Sequence, residues 1–213
     1  MPTLKEEQDS IAYYAGKPND NILKEAIKYS ILNSLSMLLR REYDKTKRFR
    51  SSAIYTLNCV ELEKVSSTDC CSIDLGCEVL KSSIKIPRPV IVKDLPDFNY
   101  VGGIDLNKER RLDYLMPSEL EWFKHRTYTS RFPFYTYMND YIYVFNTLAL
   151  KSVKIRYTPA NPVELFQLGC GGDCFNLEDD VIIDADLAAL IRTMVYQEIG
   201  LSPKKEENEI SVT

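Results

Sequence analysis

The apolar pattern between Ile22 and Leu39 constrains the fold of this chain more than any other feature. Apolar side chains recur there at intervals of three and four residues, which places them on one broad face of an α-helix. The positions are Ile22, Leu23, Ala26, Ile27, Ile31, Leu35, Leu38 and Leu39. The sequence therefore predicts a long helix that packs one face against a core.

Short signals before this segment separate it from a first helix. Gly16 and Pro18 end a weakly helical N-terminal stretch, as a glycine cap followed by proline commonly does. Asn19 or Asp20 can then cap the long helix. Two consecutive helices are therefore expected before residue 50.

From Ala53 onward the pattern changes to that of strands. The segment 53–65 is rich in β-forming residues, and 153–157 alternates in the same way. Between them, residues 135–138 and 141–145 flank Asn139-Asp140, two residues that tolerate positive φ, and this predicts a tight β-hairpin. The pair Gly102-Gly103 indicates a turn or a glycine bulge.

The chain returns to a helical pattern near its C-terminal end. Asp184 or Asp186 can cap a helix that runs to about Ile199, where Gly200 closes it. Its apolar stripe consists of Leu187, Leu190, Ile191, Met194 and Val195. The Lys/Glu-rich tail from Ser202 is expected to be flexible.

These patterns predict an α+β protein in which a helical bundle of N- and C-terminal helices carries a β-rich, sandwich- or barrel-like insertion. The expected division is a helical core of residues 1–52 and 180–213 with a flexible C-terminal tail. Residues 53–179 form the insertion, which contains one short helix near 118–125, opened by a capping box at Ser118 and Glu121.

A basic segment follows the long helix, with cations at Arg40, Arg41, Lys45, Lys47, Arg48 and Arg50. Cations at a helix C-terminus are favoured by its dipole, so a solvated helix end explains them. The alternative is a surface that contacts an acidic partner or a phosphate backbone.

The segment Ile86, Pro87, Arg88, Pro89, Val90 predicts an edge strand or an extended arm. Neither proline can donate a hydrogen bond to a sheet. An arm of this kind can lie across a neighbouring subunit.

No set of residues typical of catalysis is evident. His125 is the single histidine, no nucleophile motif accompanies it, and the glycine-rich phosphate-binding motifs do not occur. Cys70, Cys71, Cys77, Cys170 and Cys174 form two groups that four-thiolate zinc binding could use, although their spacings are unusual for zinc. Buried reduced thiols are the preferred interpretation over zinc or a disulfide. No catalytic residue, cofactor or metal ligand is therefore predicted.

Net charge and hydropathy limit the partners and cellular locations that the sequence allows. The 27 basic and 31 acidic residues leave a net charge of -4, which argues against a protein that binds nucleic acid over its whole surface. The sequence predicts no transmembrane helix and no secretion signal, so assembly in a cytoplasm is expected.

Several segments together resemble the connector proteins that join portal to tail in short-tailed phages, particularly the crAss-like phages. The segments are 58–65, 69–71, 76–80, 84–90, 153–159 and 182–192, and the similarity extends over roughly residues 20–200. The resemblance implies a head-to-tail connector, collar-ring or tail-tubular-like protein with no catalytic residues.

The resemblance also implies particular partners. It implies a ring, of twelve copies to follow the portal, stacked in a collar with portal and tail proteins. Genomic DNA would pass through its lumen without sequence specificity, and the protein would reside in the virion after assembly in a bacterial host. A small nucleic-acid-binding module, using the basic segment and the tyrosines of the 135–145 hairpin, is the alternative, and a zinc enzyme is a third.

Overall fold

The computed structural model describes residues 2–66, 78–103, 111–123, 125, 132–147, 149–167 and 181–200. These residues form an α+β protein with helices near both ends of the chain and a seven-stranded sheet between them. The α+β class predicted from the sequence is confirmed. By contacts the chain divides into two compact units, with boundaries after Arg41 and after Cys170. We refer to them as the helical unit and the sheet unit.

The described part of the chain contains five α-helices. They are α1 (Leu4–Tyr14), α2 (Asn21–Thr46), α3 (Leu120–Phe123), α4 (Val163–Gln167) and α5 (Ala185–Ile199). Single 3-10 turns precede β1 at Ser51–Ala53 and α3 at Pro117–Glu119.

The first helix ends, and the second begins, at the predicted signals. A capping box joins Thr3 and Glu6 at the start of α1, and Gly16 follows α1 with φ of +74°. Asp20 caps α2, because its Oδ1 accepts the backbone N–H groups of Ile22 and Leu23 at 3.1 Å each. The long helix is thus confirmed, and Asp20 is the residue that caps it.

Polar contacts connect the helices of the helical unit. The Arg192 guanidinium on α5 donates two hydrogen bonds of 2.6 Å to the Glu7 carboxylate on α1, which is almost fully buried. The Gln8 side chain donates to the Lys24 carbonyl at 2.8 Å, and the Ser30 hydroxyl donates to Glu198. These contacts tie α1, α2 and α5 together, although they do not establish the predicted bundle geometry.

Nine strands follow in the described part of the sheet unit. They are β1 (Tyr55–Ser66), β2 (Glu78–Ser82), β3 (Ile91–Val92), β4 (Leu95–Pro96), β5 (Phe98–Gly103), β6 (Asp113–Tyr114), β7 (Phe134–Met138), β8 (Tyr141–Phe145) and β9 (Ser152–Tyr157). Seven of them form one sheet in the order β5-β9-β1-β2-β8-β7-β6, and β3 and β4 form a separate hairpin.

The two edges of the seven-stranded sheet meet. Arg111, next to the edge strand β6, forms a β-bridge with Gly102 on the other edge strand β5. The N–H of Leu112 donates to the Val101 carbonyl at 2.8 Å. The sheet is therefore nearly closed and barrel-like, and this decides between the two forms that the sequence left open.

Gly102 and Gly103 form neither the predicted turn nor a bulge, although the register of β5 with β9 shifts just before this segment, between Phe98 and Tyr100. Both glycines lie at the end of β5 and pair with Lys154 and Val153 of β9. Gly102 also meets Arg111 from the opposite edge, so it has a backbone neighbour on each side. Glycine in a strand commonly marks such a close approach of another chain segment.

One hydrophobic core lies against the strands of this sheet. Alternate residues of β9, which lies between β5 and β1, are fully buried in it, namely Val153, Ile155 and Tyr157. The other buried members are Val60, Leu80, Ile86, Phe98, Val101, Leu112, Tyr135, Ile142, Val144 and Leu165.

A second, smaller cluster covers the other face of β2, β7 and β8. Val79, Phe134, Tyr143 and Phe145 alternate with the residues of the main core, and their rings and methyl groups pack with Leu115 and Leu120. Phe134 and Phe145 stack with ring centroids 4.8 Å apart. This part of the sheet is thus covered on both faces.

The predicted hairpin is confirmed as β7 and β8. Asn139 and Asp140 have φ of 51° and 66°, as a two-residue turn with both central residues left-handed requires. A second turn of this kind, at Lys93 and Asp94 between β3 and β4, was not predicted, because lysine is not a typical signal at its first central position.

Cys59 lies at a bulge in β1, where the register with β9 shifts between Leu57 and Val60. Its φ of 61° is a conformation that costs a non-glycine residue about 1–2 kcal/mol. We expect Cys59→Gly to raise the free energy of unfolding by roughly 0.5–1 kcal/mol after the entropy cost of glycine is subtracted. Cys59→Ala, which keeps a Cβ atom, should leave it nearly unchanged. Urea unfolding of both variants measures the difference, and equal stabilities would contradict a strained bulge.

Candidate assembly surfaces

The predicted basic segment begins in the last turns of α2 and continues beyond its end. Thr46 is the last helical residue, and Lys47 leaves the helix with φ of 58°. Arg40, Arg41, Lys45 and Arg48 are exposed and form no ion pair with the described residues. These four side chains can contact a partner.

The other two members of the segment have partners within the chain. The Arg50 Nε donates to both oxygens of the Glu42 carboxylate at 2.7 and 2.6 Å, with both side chains about three-quarters buried. The Lys47 ammonium donates to the Asp44 carbonyl at 2.6 Å. Arg50 therefore fixes the end of α2 to the turn that leads into β1.

The segment 86–90 is packed against its own protomer. The side chains of Ile86 and Val90 are fully buried, and both prolines are buried too. The Ile86 N–H donates to the Asp140 carbonyl at 2.7 Å, and the Val90 N–H donates to Thr158 at 2.8 Å. Of the five residues predicted to form an arm, Arg88 is the one with an exposed side chain, 79 % accessible and 3.3 Å from the Asp140 carboxylate.

The tyrosines of the β7–β8 hairpin are structural. Tyr135 and Tyr143 are buried in the two clusters, and the Tyr137 hydroxyl donates to the Ile86 carbonyl at 3.0 Å. Burial raises the pKa of both Tyr135 and Tyr137 well above its ordinary value. Tyr135 and Tyr143 are thus covered by their own protein and cannot stack on bases, whereas Tyr137 and Tyr141 are half-buried.

The residues considered for metal binding or catalysis give little support to either. Cys70, Cys71, Cys77, Cys170 and Cys174 lie outside the described residues. Within the described ranges, no three His, Cys, Asp or Glu side chains are grouped so that they could hold a metal ion. His125 is exposed, and Cys59 is a free, exposed thiol.

Asp97 is the described carboxylate whose pKa departs most from its ordinary value. It precedes β5, and its Oδ2 is buried without a hydrogen-bond partner among the described residues. Burial raises the pKa of Asp97 to about 6, and the nearby Thr158 hydroxyl acts in the opposite direction. The folded state therefore favours the protonated acid relative to the unfolded chain.

This shift predicts a pH dependence of stability. Unfolded Asp97 titrates near 3.8, so the folded protein holds more protons between about pH 4 and pH 6. The stabilisation that the Asp97 carboxyl group contributes is complete below pH 3.8, its pKa in the unfolded chain. It is lost as the pH rises through about 6, its pKa in the folded protein. We expect Asp97→Asn to flatten this decline, whereas the exposed Asp113→Asn should not. Urea unfolding at a series of pH values measures it, and an unchanged slope in Asp97→Asn would contradict the assignment.

Several large apolar side chains are exposed, which sequence reasoning missed. Ile22 and Leu190 were predicted on buried stripes, yet they are 85 % and 52 % exposed. Trp122, the single tryptophan, is 71 % exposed, and more than half of the surface of Tyr29 and of Ile182 is exposed too. Large apolar side chains are enriched in protein–protein interfaces, so these residues are candidates for contacts with other subunits.

No helix in the described ranges is long and apolar enough to cross a membrane. The described surface carries exposed cations at the end of α2 and several exposed large apolar side chains. Such a surface suits a protein that assembles with others. The chain belongs to the family of phage tail ring protein 2 of crAss-like phages, whose family model matches residues 8–210.

The family confirms the resemblance found from the sequence. It makes the chain a structural ring protein of a phage tail and a component of the virion. Ring formation implies self-assembly together with other tail components, and a structural family of this kind suggests a protein that is not an enzyme. A search of curated proteins finds no match.

Proposed function

We propose that this chain forms one ring of the head-to-tail connector of a short-tailed phage, joins the portal to the tail and surrounds the passage for DNA. The single observation that carries the proposal is the family match over residues 8–210. Twelve copies would follow the symmetry of the portal. The net charge of -4 suits a lumen along which DNA slides without being held.

Within each copy, we assign different roles to the two parts of the chain. The terminal helices serve as the scaffold, with the Glu7–Arg192 pair holding α1 against α5. The β-rich middle supplies contacts to neighbours. In the segment 86–90 this role belongs to Arg88, since the other four side chains are buried in the protomer.

The exposed cations Arg41, Lys45 and Arg48 are proposed to contact an acidic surface of an adjacent connector protein. Cations lining the lumen would retain DNA, because each phosphate contact releases counterions and adds affinity. A protein partner therefore fits a DNA passage better than the genome does.

A charge-reversal variant tests this contact. We expect Arg41→Glu/Lys45→Glu/Arg48→Glu to reduce binding to the portal or the adjacent tail protein by about tenfold or more, with a weaker salt dependence. The matched control, Lys64→Glu/Lys85→Glu/Lys151→Glu, reverses three exposed cations elsewhere and should bind normally. Loss of DNA binding with unchanged protein binding would instead favour a nucleic-acid contact.

The proposed function itself is tested by mixing the purified chain with portal protein. Mass photometry is expected to show discrete, closed multimers in the mixture. A protein that remains monomeric in every mixture with portal and tail proteins would overturn the proposal.

A further inference from the structure

Arg88 is an exposed residue whose backbone is fixed on both sides. Pro87 and Pro89 flank it, and both prolines are buried and restrict the backbone angle φ to about −65°. The Arg88 carbonyl accepts the N–H of Ala160 at 2.8 Å, and Pro89 forms a β-bridge with Pro159. The protomer thus holds this piece of backbone in one conformation while it leaves the Arg88 side chain outside, 79 % accessible.

The Arg88 guanidinium is anchored at one of its donors. Its Nε donates to Oδ1 of Asp140 at 3.3 Å, and the same oxygen lies 3.2 Å from the Tyr137 hydroxyl. The terminal nitrogens Nη1 and Nη2 form no hydrogen bond or ion pair with the described residues. These two nitrogens can bind both oxygens of a carboxylate in parallel. Asp140 therefore orients the guanidinium and leaves its outer edge available.

The surroundings of Arg88 favour a single carboxylate over a phosphate backbone. Asp140 offsets part of the charge of Arg88, and Glu164 adds negative charge near the Tyr137 hydroxyl that Asp140 contacts. DNA binding relies on groups of uncompensated cations, because each phosphate contact releases counterions and adds affinity. One partly compensated guanidinium instead suits a bidentate pair with Asp or Glu at a protein–protein contact, where arginine is enriched.

We propose that Arg88 binds a carboxylate of a second copy of this chain, and that Asp140 positions the guanidinium for this contact. The inference rests on the proposed ring and names the chemistry of one of its contacts. In a closed ring every copy touches two others of its own kind, through two different surfaces. The chain has carboxylates to offer, since residues 157–191 contain seven acidic and no basic side chains.

Replacement of the Arg88 side chain tests the contact. We expect Arg88→Ala to fold normally, because an exposed ion pair contributes little to stability, and to raise the concentration at half-assembly by about 30-fold. Arg88→Lys keeps the charge without the two parallel donors, so its effect should be intermediate. The matched control is Arg156→Ala, since Arg156 is also exposed and also rests on one side chain of its own protomer, 6.0 Å from the centroid of the Tyr100 ring. It should assemble like the wild type.

A double-mutant cycle tests the positioning role of Asp140. Asp140→Asn keeps a residue that tolerates positive φ in the turn, where Asp140 has φ of 66°. It should raise the concentration at half-assembly by about threefold in the wild type and add nothing to Arg88→Ala, because it acts through Arg88. Mass photometry, with circular dichroism to confirm folding, measures all variants. Equal effects of Asp140→Asn in both backgrounds would overturn the positioning role.

Carbodiimide cross-linking of the Arg88→Lys variant identifies the partner, because this reagent joins an ammonium group to a carboxylate that it contacts directly. Rings are assembled with portal protein from equal amounts of isotope-labelled and unlabelled copies of the variant. Mass spectrometry is expected to find the introduced lysine joined to an Asp or Glu of the differently labelled copy. Cross-links only within one copy, or only to the portal or another tail protein, would overturn the assignment to a second copy.

The outcomes separate this contact from the proposed function. If the wild type forms rings and Arg88→Ala forms them equally well, or if Arg156→Ala fails to the same extent, the contact is wrong while the ring stands. The same holds if Arg88→Ala loses DNA binding and assembles normally, because the guanidinium then contacts phosphate. If the wild type remains monomeric with every connector protein, the ring is wrong and the contact fails with it.

Discussion

Replacing Ile155 by alanine is expected to lower the free energy of unfolding of the sheet unit by about 3–4 kcal/mol. Ile155 is fully buried in the centre of β9, between Leu57 of β1 and Val101 of β5. Removal of its methyl and methylene groups leaves a cavity that a nearly closed sheet cannot fill by moving one edge. The loss of unfolding free energy should therefore lie in the upper half of the range of about 2–5 kcal/mol that is usual for Ile→Ala in a core.

A graded control accompanies this variant. Ile155→Val removes one methylene group and should cost about 1 kcal/mol, and Ile91→Ala, at a half-exposed position of β3, should cost less than that. Urea unfolding followed by tyrosine fluorescence measures all three. A cost below 1 kcal/mol for Ile155→Ala would contradict close packing in the main core of the sheet unit.

The second large effect is expected at the contact between α1 and α5. Arg192→Ala should lower the free energy of unfolding by about 2–3 kcal/mol, because it leaves the buried Glu7 carboxylate without its bidentate partner. The value lies below the range for fully buried pairs, since the Arg192 side chain is 42 % exposed and water can replace part of the interaction.

Two further variants identify the cause. Arg192→Lys keeps the charge but cannot form the two parallel hydrogen bonds, so its cost should be intermediate. Glu7→Leu/Arg192→Leu removes both charges and should be less destabilising than Arg192→Ala alone. Thermal and urea unfolding by circular dichroism measure the series. If the double variant were the least stable of the three, the unpaired carboxylate would not be the cause.

Several helix ends and turns could be predicted from the sequence, because short stretches of chain determine them. The cap at Asp20, the turn at Asn139-Asp140 and the glycine after α5 each depend on the backbone of a few adjacent residues. The α+β class followed from the change of period between α2 and β1. Closure of the sheet between Gly102 and Arg111 joins residues only nine apart, but it depends on how all seven strands curve, and no local pattern indicates that.

The candidate surfaces were harder to predict because periodicity identifies an apolar face without saying what covers it. Ile22 and Leu190 fit the helical stripes in the sequence, yet they lie on the sides that the protomer leaves exposed. The signal was present in α2, where Ile22, Ala26 and Tyr29 fall opposite Ile27 and Ile31. A helix apolar on two sides indicates either a helix buried all round or one that assembles with another chain.

The burial of four side chains in the segment 86–90 was not predicted either. Two prolines and a basic residue suggested an arm, but the prolines only prevent regular strand pairing and do not prevent burial. Ile86 and Val90 instead donate their N–H groups to carbonyls of their own chain.

Cryo-electron microscopy of the chain assembled with its portal protein tests the central claim most directly. A closed ring is expected, twelve-fold to match the portal. Particles that contain the portal alone, beside a free monomer of this chain, would contradict a ring-forming tail protein.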